Sequence, residues 1–233
     1  MSFAVRFHRA LPAGTCVGVS LPQSDGFALP PGVHPDEAAL AHAWPAARRA
    51  TFIGGRVAMR AAMAALGAGA DEAARPILPT PRGAPALPPG FVASVSHKRE
   101  IAVAIAARAE PTPRTTIGID VEIPRSLRTD IAPRVLTPAE RAAIAGLDPL
   151  ARDAEVLFRF AAKEAIYKAL DPWVRRLVSF QEVEIGTTPD GGRTARLALA
   201  RQREDDGPFT VELYDASDDA FVLVVATVTP EKK

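Results

Sequence analysis

Cysteine is nearly absent from this chain: Cys16 stands alone among 233 residues. A single thiol excludes an intramolecular disulfide and a cysteine-rich zinc site, and it suits a reducing compartment. Charge of one sign is missing as well. With 28 Lys and Arg against 27 Asp and Glu, the formal net charge is +1, too little to drive wholesale binding to nucleic acid or an anionic membrane. No segment approaches the ~20 apolar residues of a membrane span, and the opening MSFAVRFHRALPAG lacks the apolar run of a signal peptide. The expectation is a cytoplasmic protein that binds neither nucleic acid nor membrane.

What is present is a globular composition, 48% hydrophobic and 24% charged, on a chain long enough for one large core or two small ones. FAVRF and TCVGVSL read as strands. From Pro35 to about Leu66 the pattern is helical, interrupted at Gly54-Gly55 before the stronger helix VAMRAAMAAL. The connector RPILPTPRGAPALPPG holds too many prolines for regular structure. FVASVS and IAVAIAA, separated by HKRE, are strand-like, and so is IGIDVEI. TPAERAAIAGL opens a helix with Thr137 as N-cap, Pro138 in the first turn and Glu140 three residues on. After the helical FRFAAKEAIYKAL come the strand-like QEVEIG, ARLALA, FTVELY and FVLVVATV. Both halves thus run from a long helix to a closing pair of strands. This order predicts either two similar α+β lobes meeting near residue 115 or a single mixed sheet.

Within FRFAAKEAIYKAL, Phe158, Ala161, Ala162, Ala165, Ile166 and Ala169 fall on one broad arc at about 100° per residue. Phe160 and Tyr167 lie on the opposite side, so the stripe carrying Glu164 and Lys168 is flanked by apolar groups. An ordinary i, i+4 surface pair, worth about 0.3–0.5 kcal/mol, needs an exposed stripe that this helix scarcely offers. In IGIDVEI, Asp120 and Glu122 share one strand face. Such a pair is either a solvated acidic face or repels unless a cation compensates it. With Glu164 as a third oxygen donor and no cysteine or histidine cluster, the hard cation Mg²⁺ suits the set, and Mg²⁺ usually shares its shell with water and substrate phosphate. Lys168 would then face a phosphate. Gly54-Gly55-Arg56 at a helix start, Arg82 in the connector and Ser96-His97-Lys98 at a strand end could serve anions too. Each also has a structural explanation.

The order FIGGRVAMRAAMAAL, RGAPALPPGFVASVSHK, IGIDVE, FRFAAKEAIYK resembles the 4′-phosphopantetheinyl transferases, more narrowly the roughly 230-residue monomeric kind serving siderophore, nonribosomal-peptide and polyketide synthases. The resemblance runs from about Ala47 to Ile185. It implies two pseudo-symmetric lobes, residues 1–115 and 116–233, each a small, mainly antiparallel sheet packed with a long helix, with the active site between them. It assigns Asp120, Glu122 and Glu164 to Mg²⁺, with Mn²⁺ as an alternative, and Lys168 to the pyrophosphate of coenzyme A. Arg56, Arg82, Ser96 and His97 match residues around the coenzyme's 3′-phosphoadenosine, and Lys163 matches a family lysine. Ala93 stands where relatives often carry glycine, and Leu87 where tryptophan is common.

The implied reaction transfers the phosphopantetheine arm of coenzyme A to a carrier-protein serine, releasing 3′,5′-ADP, with Glu164 taking the serine proton directly or through water and Lys168 assisting the leaving phosphate. The acyl, peptidyl or aryl carrier protein is expected to dock on PRSLRTDIAPRVL, Pro124 to Leu136, where arginines alternate with Leu127, Ile131 and Val135. Two other readings are open: a magnesium phosphohydrolase and a non-catalytic coenzyme-binding module.

Overall fold

The structure, a computed structural model, describes residues 3–109, 114–124, 130–200 and 208–231. The chain divides into two units, Met1–Glu110 and Pro111–Lys233. The first opens with β1 (Val5–Leu11), largely exposed, and β2 (Gly14–Ser20), largely buried. Helices α1 (Pro35–His42), α2 (Ala46–Ala65) and α3 (Ala70–Ala73) follow, and β3 (Phe91–Lys98) and β4 (Ile101–Arg108) close the unit. The sheet order is β1-β2-β4-β3, with every pair antiparallel. Ile53, Met59 and Met63 of α2 join Val17, Val19, Ala102, Ala104 and Ala106 in the core on one face of the sheet.

The expected helix break at Gly54-Gly55 does not occur. The break falls at residues 43–45, ahead of α2, which runs unbroken through both glycines. Their amides are therefore spent inside the helix, and the anion-binding helix start read there is absent. A Cβ on Gly54 would overlap the Leu21 side chain and crowd Ala102, and one on Gly55 would press on Val95. The pair lets the helix approach the sheet closely. The proline-rich connector also departs from expectation, because Pro79 and Pro85 form an isolated bridge closed by a turn in which Gly83 N–H donates to Thr80 O.

In the second unit come β5 (Thr116–Glu122), α4 (Ala132–Val135), α5 (Pro138–Ala143) and α6 (Pro149–Val174). A 3-10 turn at Phe180–Glu182 precedes β6 (Val183–Thr187), β7 (Arg193–Leu197), β8 (Phe209–Asp215) and β9 (Val222–Pro230). One antiparallel sheet has the order β5-β9-β8, and β6-β7 forms a separate ribbon. Each sheet draws its strands from a single unit, so a single mixed sheet is not formed. The architecture is α+β, with one long helix on an antiparallel sheet in each unit.

The capping box before α5 is in place: Thr137 N–H donates to Glu140 Oε2 at 2.7 Å and Glu140 N–H to Thr137 Oγ1 at 3.2 Å. Helix α6 starts nine residues before the stretch that announced it, behind Asp148, whose Oδ1 accepts from Leu150 and Ala151 N–H. Its apolar character on both flanks has a simple cause. Ala161, Ala165 and Ala169 pack toward Val224, Ala226 and Val228 of β9. On the other flank Phe160 packs against Phe180, 5.6 Å between ring centroids, beside a second small core of Val135, Leu136, Ile144 and Val156. No helix among the described residues is long and apolar enough to cross a membrane.

Candidate active site

Period-2 alternation puts Thr116, Gly118, Asp120 and Glu122 on one face of β5, and α6 lies on that face. Thr116 Oγ1 donates to Ala169 O at 2.6 Å and accepts from Trp173 Nε1 at 2.8 Å. A Cβ on Gly118 would overlap the Ala165 carbonyl. Lys168 Nζ donates to Ile119 O and to Asp120 Oδ1, both at 2.8 Å. Helix numbers thus fall as strand numbers rise, so α6 runs antiparallel to β5. The Gly118–Ala165 contact sets the backbone of Glu164, the residue before Ala165, near the level of Gly118.

Asp120 and Glu122 are 5% and 6% exposed, so the solvated-acidic-face reading of this strand does not hold. Lys168 supplies the positive charge that a buried carboxylate needs. Among the described residues no group of three or more His, Cys, Asp and Glu side chains stands as a ready-made metal centre. The expected set of Asp120, Glu122 and Glu164 is therefore not preassembled, and like-charged carboxylates repel until a cation compensates them. The donor chemistry nevertheless fits Mg²⁺ or Mn²⁺, because neighbouring carboxylates supply the oxygen ligands of a hard cation that shares its shell with water and phosphate oxygens.

Glu164 is half-buried and borders a groove of about 320 Å³ whose walls include Arg134, Tyr167, Leu177, Phe180 and Val183. Leu177 is 78% exposed. Composition gave no hint of this groove, since its walls come from separated segments. The neighbouring lysine behaves differently. Lys163 is 1% exposed and donates to Glu140, Val135 O and Phe180 O. Burial pushes its ammonium below the ordinary lysine range, and the bond to Glu140 opposes that shift. Glu140 was legible in the sequence only as a helix cap.

The four anion-site candidates of the first unit are placed variously. Arg56 is buried, donating from Nε to Ile77 O at 2.9 Å, with its guanidinium 3.8 Å from the Phe52 ring centroid. Burial lowers its pKa to about 10, so it stays charged at neutral pH. Arg82 sits exposed in the turn between Pro79 and Pro85. Ser96 is buried opposite Val103 of β4, and His97 is exposed opposite Ala102. Adjacent on β3, these two side chains leave opposite faces of the sheet.

Cys16 is buried and its thiol is pushed up to about 12 by desolvation, which removes it as a nucleophile at neutral pH. In the expected docking segment Arg125, Leu127 and Arg128 lie outside the described residues. Val135 and Leu136 belong to the second small core, 2% and 0% exposed, so the apolar docking contact expected of Val135 is corrected to a packing one. Arg134 is exposed.

Residues 116–225 match the family described as the 4′-phosphopantetheinyl transferase superfamily, and residues 36–107 match the 4′-phosphopantetheinyl transferase N-terminal domain. The chain is 38% identical over 170 residues to the 4′-phosphopantetheinyl transferase Svp of Streptomyces mobaraensis, covering 71% of this chain and 65% of that one. It is 33% identical over 173 residues to PptT of Mycobacterium tuberculosis, covering 73% of each. Against Npt of Nocardia iowensis the identity is 34% over 185 residues, 75% of this chain and 78% of the relative.

Proposed function

Since this chain belongs to the 4′-phosphopantetheinyl transferase superfamily, we propose that it transfers the phosphopantetheine arm of coenzyme A to a serine hydroxyl of an acyl, peptidyl or aryl carrier protein. The serine oxygen forms a bond to the pantetheine-bearing phosphorus, the bond from that phosphorus to the bridging oxygen breaks, and 3′,5′-ADP departs. The observation that carries this reading is the pairing of Lys168 with Asp120 on the face of β5 that α6 covers.

Asp120, Glu122 and Glu164 are the residues to hold Mg²⁺ or Mn²⁺, which when bound neutralises pyrophosphate charge and polarises the attacked phosphorus. Glu164 accepts the serine proton, directly or through a water. Lys168, half-exposed on a flexible stem, donates to the departing phosphate. Arg56, Arg82, Ser96 and His97 serve the 3′-phosphoadenosine end. For Arg56 that service is limited to charge and support unless its buried side chain turns. The groove beside Glu164 offers apolar walls to the pantetheine arm. The protein acts as a cytoplasmic monomer, with no resident cofactor besides the cation.

Incubating the purified chain with coenzyme A, Mg²⁺ and an apo carrier protein should add the mass of phosphopantetheine to the carrier. Coenzyme cleavage without that gain would point to a phosphohydrolase, and binding without cleavage to a non-catalytic module.

A further inference from the structure

The buried ammonium of Lys163 has no step in the reaction above, and its surroundings indicate what it does. Its three protons have three acceptors: Glu140 Oε2 at 2.6 Å, Val135 O at 2.8 Å and Phe180 O at 3.0 Å. Glu140, 2% exposed, is fully engaged too. Its Oε2 also accepts from Thr137 N–H, and its Oε1 accepts from Ile185 N–H, each at 2.7 Å. Arg159, one turn earlier on α6, approaches Glu140 Oε1 to 3.8 Å and pairs with Glu155 at 3.1 Å. One charge pair therefore ties α6 to the end of α4, the cap of α5, the 3-10 turn and β6.

Such a pair is a poor investment for stability alone, because stripping water from both ions offsets most of their attraction and apolar replacements are often as stable. What it does supply is register. An apolar contact tolerates sliding and rotation, whereas three hydrogen bonds to one ammonium fix both. The residue after Lys163 is Glu164, about 100° round the helix, and two of the segments held by the ammonium, at Phe180 and beside Arg134, are walls of the groove that Glu164 borders.

We propose that Lys163, clamped by Glu140, is the positioning residue for Glu164, fixing the rotation of α6 and of the groove that it also lines, through the bonds of its ammonium rather than by binding the coenzyme's phosphates. This rests on the transferase reading, in which Glu164 takes the serine proton. A misplacement near 1 Å can cost about 100-fold in rate, so the clamp need not add stability to matter.

The test uses the full chain with coenzyme A, Mg²⁺ and an apo carrier protein. No transfer by the wild type would overturn the transferase reading, whereas the remaining outcomes bear on Lys163 alone. Lys163→Met should lower kcat about tenfold or more while leaving the coenzyme Kd within about twofold. The double variant Lys163→Met with Glu140→Gln, which removes the uncompensated carboxylate but leaves one of the backbone N–H groups of Thr137 and Ile185 without its acceptor, should recover part of the lost melting temperature and little of the lost kcat. A coenzyme Kd weakened about tenfold would make Lys163 a phosphate ligand, and wild-type kcat in the double variant would reduce it to a packing element; either overturns the proposal. A third arm needs no variant. With acetic anhydride, Lys163 of the wild type should stay unlabelled with and without coenzyme A, and labelling in the free protein that the coenzyme suppresses would sink the idea.

Discussion

Gly118 of β5 lies beneath the carbonyl of Ala165 in α6, so close that a Cβ on the strand residue would overlap it. This contact sets how near the helix comes to the strand, and that distance decides whether Lys168 can reach Asp120 at 2.8 Å. Packing and chemistry are coupled here through one missing methyl group.

Gly118→Ala should therefore cost stability and activity together. Forcing a methyl against rigid backbone typically costs about 1–3 kcal/mol, and the helix can relieve the clash only by moving off the strand that carries Asp120. A lower melting temperature and a larger fractional loss of transfer than of secondary structure are expected. Gly146→Ala, where an added Cβ meets nothing within 4 Å, is the control and should change neither.

Acid should reveal a second anchor. Arg176 grips Glu182 with two hydrogen bonds, 3.0 and 2.6 Å, and Ser179 and Ala200 N–H also donate to it. Led by the Arg176 bond, these hold the Glu182 carboxyl down to about 2, against an ordinary value of 4.5. A depressed acid stabilises the fold above its unfolded pKa and loses that contribution as pH falls toward the folded one. The melting temperature of the wild type should exceed that of Glu182→Gln by a constant margin above pH 4.5, and the margin should shrink between pH 4.5 and about 2. A margin independent of pH would refute the charge assignment.

Much of this was legible in the sequence because it depends on local rules. The alternation in IGIDVEI gave the face shared by Asp120 and Glu122, and the Thr137–Glu140 spacing gave the capping box that the hydrogen bonds contain. Gly54-Gly55 misled, since glycine reads as a helix breaker locally and its use for close approach depends on Leu21, Ala102 and Val95, distant in sequence. Lys163 and Glu140 sit 23 residues apart, and nothing in periodicity links a helix cap to a lysine inside another helix. The groove beside Glu164 was invisible for the same reason.

The cation assignment has its own outcome. Asp120→Ala should lower transfer at saturating Mg²⁺ by about 100-fold or more, on the scale of losing one electrostatic contact to developing charge. It should also weaken Mn²⁺ binding as read by electron paramagnetic resonance. Chelation of divalent ions should abolish transfer by the wild type, and Mg²⁺ should restore it. Wild-type turnover in Asp120→Ala would break the metal assignment.

The roles proposed for Lys168 and His97 can be told apart at the two ends of the coenzyme. Lys168 sits on α6 with Glu164 and bonds to Asp120 of β5, so Lys168→Ala should depress kcat more than coenzyme affinity, as expected of a group whose interaction grows as the phosphate departs. The same change removes the cation that compensates Asp120, so a fall in melting temperature should accompany it, and the kcat comparison belongs well below that temperature. His97 is exposed near the end of β3, opposite Ala102 of β4. Its replacement by alanine should weaken coenzyme A binding about tenfold, a loss near 1.4 kcal/mol, and should weaken 3′-dephospho-coenzyme A much less. Equal losses with both coenzymes would remove His97 from the 3′-phosphate, and a purely affinity-based loss in Lys168→Ala would make that lysine a binding residue only.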